Sequence, residues 1–226
     1  MVTFVEKNFV STSEKRWNES YIIFKQGLSL IKSSRALLII FLATFLVNGA
    51  ADIYTRISPK RLVAVELPGV ESEIAWLMFL SFISLLLGML ILRIVEHQVH
   101  DIKNSYLDYV FAALLGCFGF VLLALPSYQY ICAGIVILSG IAFPMIRSLT
   151  SIIVNEYTTN KVRSTVHSFL AQAEYLGEII CGGLIGLIVN NGHLYIGLLF
   201  CAGLMYLACF LVSNFRKIKL HWDFTE

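Results

Sequence analysis

The sequence predicts an all-α polytopic membrane protein with six transmembrane helices in one bundle. Three observations predict it. The 226 residues are 58% hydrophobic and 14% charged, where soluble domains run at roughly 45–50% and about 25%. Mean hydropathy is +0.77. The charges are also bunched: the 19 residues from Ile74 to Leu92 include no Asp, Glu, Lys or Arg. A helix of that length is ~28 Å long, which matches a bilayer hydrocarbon core of ~30 Å.

The first element is a polar leader, residues 1–33. Ser11-Thr12-Ser13-Glu14 fits a helix-start box, in which a hydroxyl caps a backbone amide and the Glu reaches back. Trp17, Tyr21, Phe24 and Leu28 then recur at helical spacing between Lys and Arg. That pattern suits an amphipathic helix on a membrane surface; a partly ordered linker is the plainer alternative. The first apolar run begins only at Ala36, so no cleavable signal peptide is expected.

Six apolar runs follow, at Ala36–Ala51, Ile74–Leu92, Leu107–Leu125, Tyr128–Ile146, Val166–Val189 and Leu194–Ser213. The first is short and is expected to continue past Asp52 towards Tyr54. They lack the alternation of barrel strands, and in lipid helices satisfy their own backbone hydrogen bonds. The bundle is thus expected over residues 34–215, with a tail over 216–226. Pro126-Ser127 and Asn190-Asn191-Gly192-His193 are tight turns, and Pro144 is expected to kink the fourth span.

Lys and Arg set the orientation. With six spans, 14 of them fall on the side of the termini, Arg147, Lys161 and Arg163 being assigned to the fourth loop. Three (Arg56, Lys60 and Arg61) fall on the other side. Positive residues mark the cytoplasmic face, so both termini are expected in the cytoplasm and the protein in the cell membrane. A net charge of +2 offers no basic stripe for nucleic acid. The five cysteines lie inside apolar runs without zinc-ligand spacing and read as small buried hydrophobes. No cofactor or metal is expected. Catalytic signatures such as His-Glu-x-x-His, Gly-x-Ser-x-Gly or a phosphate loop are absent from the sequence, so the protein is not expected to be an enzyme.

The stretch from Val162 to Gly186 carries the chemistry. Glu174 and Glu178 share one helix face, extended by His167 and Ala171. Glu178 falls near the middle of its span, where a charge costs roughly 2.5–3.5 kcal/mol on insertion scales. Two carboxylates one turn apart repel, so the pair is expected to hold one proton. Two readings stand: proton or substrate handling, and hydrogen bonding between helices. Ala173, Gly177 and Cys181 repeat every four residues, and Gly182 and Gly186 form a Gly-x-x-x-Gly pair, a face for close helix packing. Asp52, placed near the outer end of the first span, and Arg56 are spaced to neutralise each other or to serve a substrate.

These residues resemble the major facilitator superfamily, especially its drug- and macrolide-efflux-like permeases. The family pattern before the last span is met by Arg163, Thr165, Ser168, Gln172, Ala173, Glu174, Leu176, Gly177, Ile179, Gly182 and Gly186. Ser164, Glu178, Cys181 and Gly183 depart from it; Glu178 stands where relatives carry an amide. Gly49-Ala50-Ala51-Asp52 with Arg56 looks like the family's first-span motif, Thr55 replacing its second acid.

The resemblance covers roughly residues 20–215 as the second half of a twelve-span fold. It implies one half-bundle built as a three-plus-three inverted repeat, and small-molecule export in exchange for protons. Glu174, Glu178, Asp52, Arg56 and Gln172 are the pathway candidates. The implied partners are the lipid bilayer, a small-molecule substrate, and a second six-span half or another copy of the chain. A non-transporting membrane protein, a remnant or packing partner of another transporter, is the alternative.

Overall fold

Long apolar runs leave a chain no way to satisfy its peptide groups in lipid except by helix, and helix dominates the fold. The computed structural model describes residues 13–65, 73–98, 102–190 and 193–223. Helix α1 covers Ser13–Ser33. Six helices then follow that are long and apolar enough to cross a membrane. They are α2 (Arg35–Val63), α3 (Glu73–Gln98), α4 (Ile102–Ala124), α5 (Tyr128–Glu156), α6 (Arg163–Val189) and α7 (Leu194–Asp223). The protein is an all-α polytopic membrane protein.

Apolar windows stop at the first charge; backbone hydrogen bonds do not, and the helix ends differ from expectation for that reason. Helix α2 runs on through Asp52, Arg56 and Pro59 to Val63. Asp52 therefore sits near the middle of its helix, not near the outer end. Helix α5 runs past Ile146 to Glu156, so Arg147 lies inside a helix and not in the fourth loop. Helix α7 continues beyond Ser213 to Asp223, through most of the segment read as a tail. The expected turn at Ser127 stands between α4 and α5. Ser11 and Thr12 of the helix-start box, and Asn191 and Gly192 of the last turn, lie outside the described residues.

The leader helix packs against the bundle. Phe24 meets Phe169 of α6 with ring centroids 5.0 Å apart. A methyl at Gly27 would stand 3.1 Å from Thr165. Helix α1 thus packs on the first turns of α6, and only Ser34, the N-cap of α2, separates it from the first span.

The pairing of the six long helices has a pattern. Helix α2 packs along α6 and α7, α5 packs along α3 and α4, and α4 lies against α7 at the centre. Exchanging the first span with the fourth, the second with the fifth and the third with the sixth maps these principal pairs onto themselves. The pairing of α6 with α7 is an exception, lacking an equally extensive counterpart between α3 and α4. Repeats of three helices run in opposite directions across a bilayer, which is the geometry of an inverted repeat. The two related crossings are both made through glycine, Gly177 against Phe45 in α2–α6 and Gly140 against Ser84 in α3–α5. Tyr109, Phe120, Leu138, Leu149, Leu198 and Met205 fill the core.

The outer surface is apolar. On α3 alone Met78, Phe79, Phe82, Leu85, Met89 and Leu90 are more than half exposed. Leaving a large apolar side chain in water costs roughly 1.5–3 kcal/mol relative to burying it, so such a surface requires lipid as its solvent.

Candidate functional site

The site begins with the π-helical segment of α5. Pro144 has no N–H and its ring crowds the carbonyl four residues back. A π-helical turn over Val136–Ala142 directly precedes it, and such turns recur at functional sites. The Ser139 hydroxyl donates to the Ile135 carbonyl oxygen at 2.7 Å and lies 2.8 Å from the Ser84 hydroxyl. Tyr54 of α2 donates to the same carbonyl at 3.4 Å. Helix α6 has a π-helical turn too, over Glu178–Gly182.

Between α2 and α5 lies a cleft of about 650 Å³. Tyr54, Thr55, Ser139, Ser148 and Ser151 bring hydroxyls to it, and Phe143, Pro144 and Leu92 bring apolar walls. Its single charged lining residue is Arg147. Arg147, Phe143 and Ala51 also border a small, partly open cavity of about 20 Å³. That is room for about one water. Thr44, Asn48, Thr150 and Glu174 complete its polar lining. Asn48 donates to the Thr44 carbonyl at 3.0 Å. The Thr44 hydroxyl is buried and has no hydrogen-bond partner.

Glu174 and Arg147, a carboxyl from α6 and a guanidinium from α5, are thus brought to one cavity. They interact electrostatically but make no ion pair within 4 Å; among the described residues that distance is met by Asp52 and Arg56. Arg56 bonds Asp52 through both Nε, at 2.9 Å, and Nη2, at 3.0 Å. Asp52 lies against Gly182, where a methyl would come within 2.6 Å of its Oδ2. The pair therefore closes on itself and does not border the Glu174 cavity. Glu178 is half-buried at the start of the π turn, outside that cavity, and Gln172 is exposed. His167 is held by Asn155, Nε2 to Oδ1, at 2.9 Å.

The small-residue face divides. Gly177 and Gly182 both pack against α2, as does Cys181 through Gly49. Ala173 is half-buried. A methyl at Gly186 would meet open space, so Gly186 makes no close helix contact.

Comparison of the sequence with family models and with curated proteins gives no match. Sequence reasoning passed over Arg147, Thr44, Asn48 and Thr150. Arg147 stood at the edge of an apolar window and was read as a loop cation. One signal was present: Pro144, Arg147, Ser148 and Ser151 recur at helical spacing and trace one polar stripe.

Proposed function

We propose that this chain is one six-helix half of a secondary transporter of the major facilitator type, moving a small molecule across the cell membrane with protons as the coupling ion. The observation that supports this most is the meeting of Glu174 and Arg147 at one cavity. Ionisable groups at membrane depth are costly and mark pathways by default. The inverted pairing of the helices agrees with transporter architecture, and π turns such as those in α5 and α6 recur at functional sites. The resemblance carried by Glu174, Gly177 and their neighbours adds to it. The substrate crosses without chemical change. A second six-helix half, in another chain or another copy, supplies the opposite wall.

Glu174 is the proton-carrying group in this reading, because it borders the cavity and Glu178 does not. The test uses vesicles loaded with a pH-sensitive dye and holding the protein, with its second half where one exists. Glu174→Gln is expected to abolish substrate-dependent proton flux, while Glu178→Gln keeps most of it. Export by exchange, which the resemblance implies, shows as accumulation of substrate in inside-acid vesicles. Undiminished coupled flux in Glu174→Gln removes the carboxyl from the mechanism. Absence of flux in every assembly leaves a non-transporting packing partner.

Both termini lie in the cytoplasm in this reading. A Lys217→Cys variant of a protein without its five native cysteines should take an impermeant thiol label only after cells are permeabilised. Label from outside intact cells reverses the orientation.

A further inference from the structure

The transport reading leaves the substrate class open; the larger cleft narrows it. Arg147 is its one charged lining residue. The guanidinium carries five N–H donors, and among the described residues none is engaged in a hydrogen bond or in an ion pair within 4 Å. Ser148 and Ser151, on the same helix and the same cleft wall, likewise make no hydrogen bond within the described protein. Asp52, the nearest acid along α2, is bound to Arg56 and does not line the cleft. In the adjoining cavity the buried Thr44 hydroxyl is also unpartnered.

We infer that the cleft binds an organic anion, with its acid group on the Arg147 guanidinium and the Ser148 and Ser151 hydroxyls and its apolar body against Phe143 and Leu92. The inference rests on the transport reading for its purpose, and on the cleft for its chemistry. Arg147 is exposed in this open cleft, and a guanidinium can engage an anion there through two parallel N–H···O bonds. A cation would meet repulsion from Arg147, and no acid lines the cleft itself to offset it. At about 650 Å³ the cleft falls within the range of about 300–1,000 Å³ typical of small-molecule sites. An inorganic ion would leave most of that space, and its apolar walls, unfilled. Glu174 on the far side of Arg147 is the competitor: its carboxylate draws on the same guanidinium.

Benzoate, benzamide and benzamidine share one shape and differ in charge, which makes them suitable probes. Their binding to the purified full chain in detergent is read by thermal stabilisation over a concentration series. Benzoate is expected to stabilise, benzamide and benzamidine to do so at least about tenfold more weakly, which is what one charge-assisted hydrogen bond contributes. Arg147→Gln should abolish the difference, and Arg147→Lys, which keeps the charge but not the fork, should retain part of it. Glu174→Gln should tighten benzoate several-fold by removing the competing carboxylate. Equal stabilisation by all three probes overturns the inference, as does undiminished benzoate binding in Arg147→Gln. If Arg147→Gln does not fold, a Glu174→Gln protein that binds benzoate no more tightly than the parent overturns it instead. The two readings fail separately. Arg147-dependent benzoate binding without any flux sinks transport and keeps the anion site, whereas coupled flux of uncharged or cationic substrates alone sinks the anion site and keeps transport.

Discussion

Replacing Gly177 by alanine is expected to destabilise the bundle by about 3 kcal/mol, at the upper end of what overpacking costs. A Cβ at this position would run into the Phe45 carbonyl, so the obstacle is backbone and cannot rotate away. Helices α2 and α6 would have to separate along a seam that also holds Gly49 against Cys181 and Gly182 against Asp52. In lipid there is little hydrophobic drive between helices, and van der Waals contact at small residues carries association. Loss of that contact is therefore felt in full. Gly183→Ala and Gly186→Ala are the matched controls: a methyl at either meets nothing within 4 Å, and a change below about 0.5 kcal/mol is expected. Reversible unfolding in mixed micelles measures all three. A Gly177→Ala protein as stable as the controls would mean that the seam has room to spare.

Arg61→Ala is expected to cost about 3 kcal/mol by a different route. Arg61 is 5% exposed. Its Nε donates to the Leu123 carbonyl at 3.2 Å, and Nη2 donates to those of Ala124 at 3.3 Å and Leu125 at 2.7 Å. The last carbonyls of a helix have no partner within it and carry the negative end of its dipole. One guanidinium thus caps the end of α4, from a neighbouring helix. Its charge also lies 5.1 Å from the centroid of the Tyr195 ring in α7. Buried hydrogen bonds to a charged group contribute roughly 1.5–3 kcal/mol, and a cation–π contact about 0.5–1 kcal/mol or more. Arg61→Lys should recover part of the loss, since an ammonium reaches fewer carbonyls in this geometry. Tyr195→Leu should lose only the smaller contribution. The same unfolding experiment decides it, and an Arg61→Ala protein of parental stability would show that water caps α4 equally well.

Arg61 also shows where reading a sequence succeeds and where it stops. Composition and charge-free windows locate helices because lipid penalises unpaired backbone wherever it occurs. They misjudge ends because a charge looks like an exit from the membrane. Asp52 and Arg56 remain in helix by pairing with each other one turn apart, which their spacing allowed. Arg61 remains by capping three carbonyls and Arg147 by facing an open cleft, and both of these solutions are made across space. The meeting of Glu174 and Arg147 at one cavity was illegible for the same reason, since no spacing along the chain brings α5 and α6 together. The acid on its own was legible, because a carboxyl inside an apolar run is conspicuous whatever its neighbours. The π turns were half legible: Pro144 announced a disturbance in α5, but nothing near Glu178 announced one in α6. The small-residue face was legible as a face; Gly177 and Gly182 use it and Gly186 does not, which depends on where α2 crosses.

The two crossings related by the internal repeat are unequal in a way that bears on motion. At α2–α6 the backbones interlock, since a methyl on Gly177 would overlap the Phe45 carbonyl. At α3–α5 a methyl on Gly140 would come to 3.2 Å from the Ser84 Cα, and one on Gly88 to 3.7 Å from the Gly140 carbonyl. Meshed backbones must part before they can shift, whereas a contact that is tight by only a few tenths of an ångström has less to give. One crossing is a latch and its counterpart the looser bearing, though itself closely packed. The bearing borders the cleft, because Leu92 comes from α3 and Arg147 from α5. Slippage there would change the width of the cleft while the latch held α2 and α6 as a fixed frame. In a repeat made of two similar parts, the unequal fit of a single pair of glycines would leave one crossing easier to shift than the other.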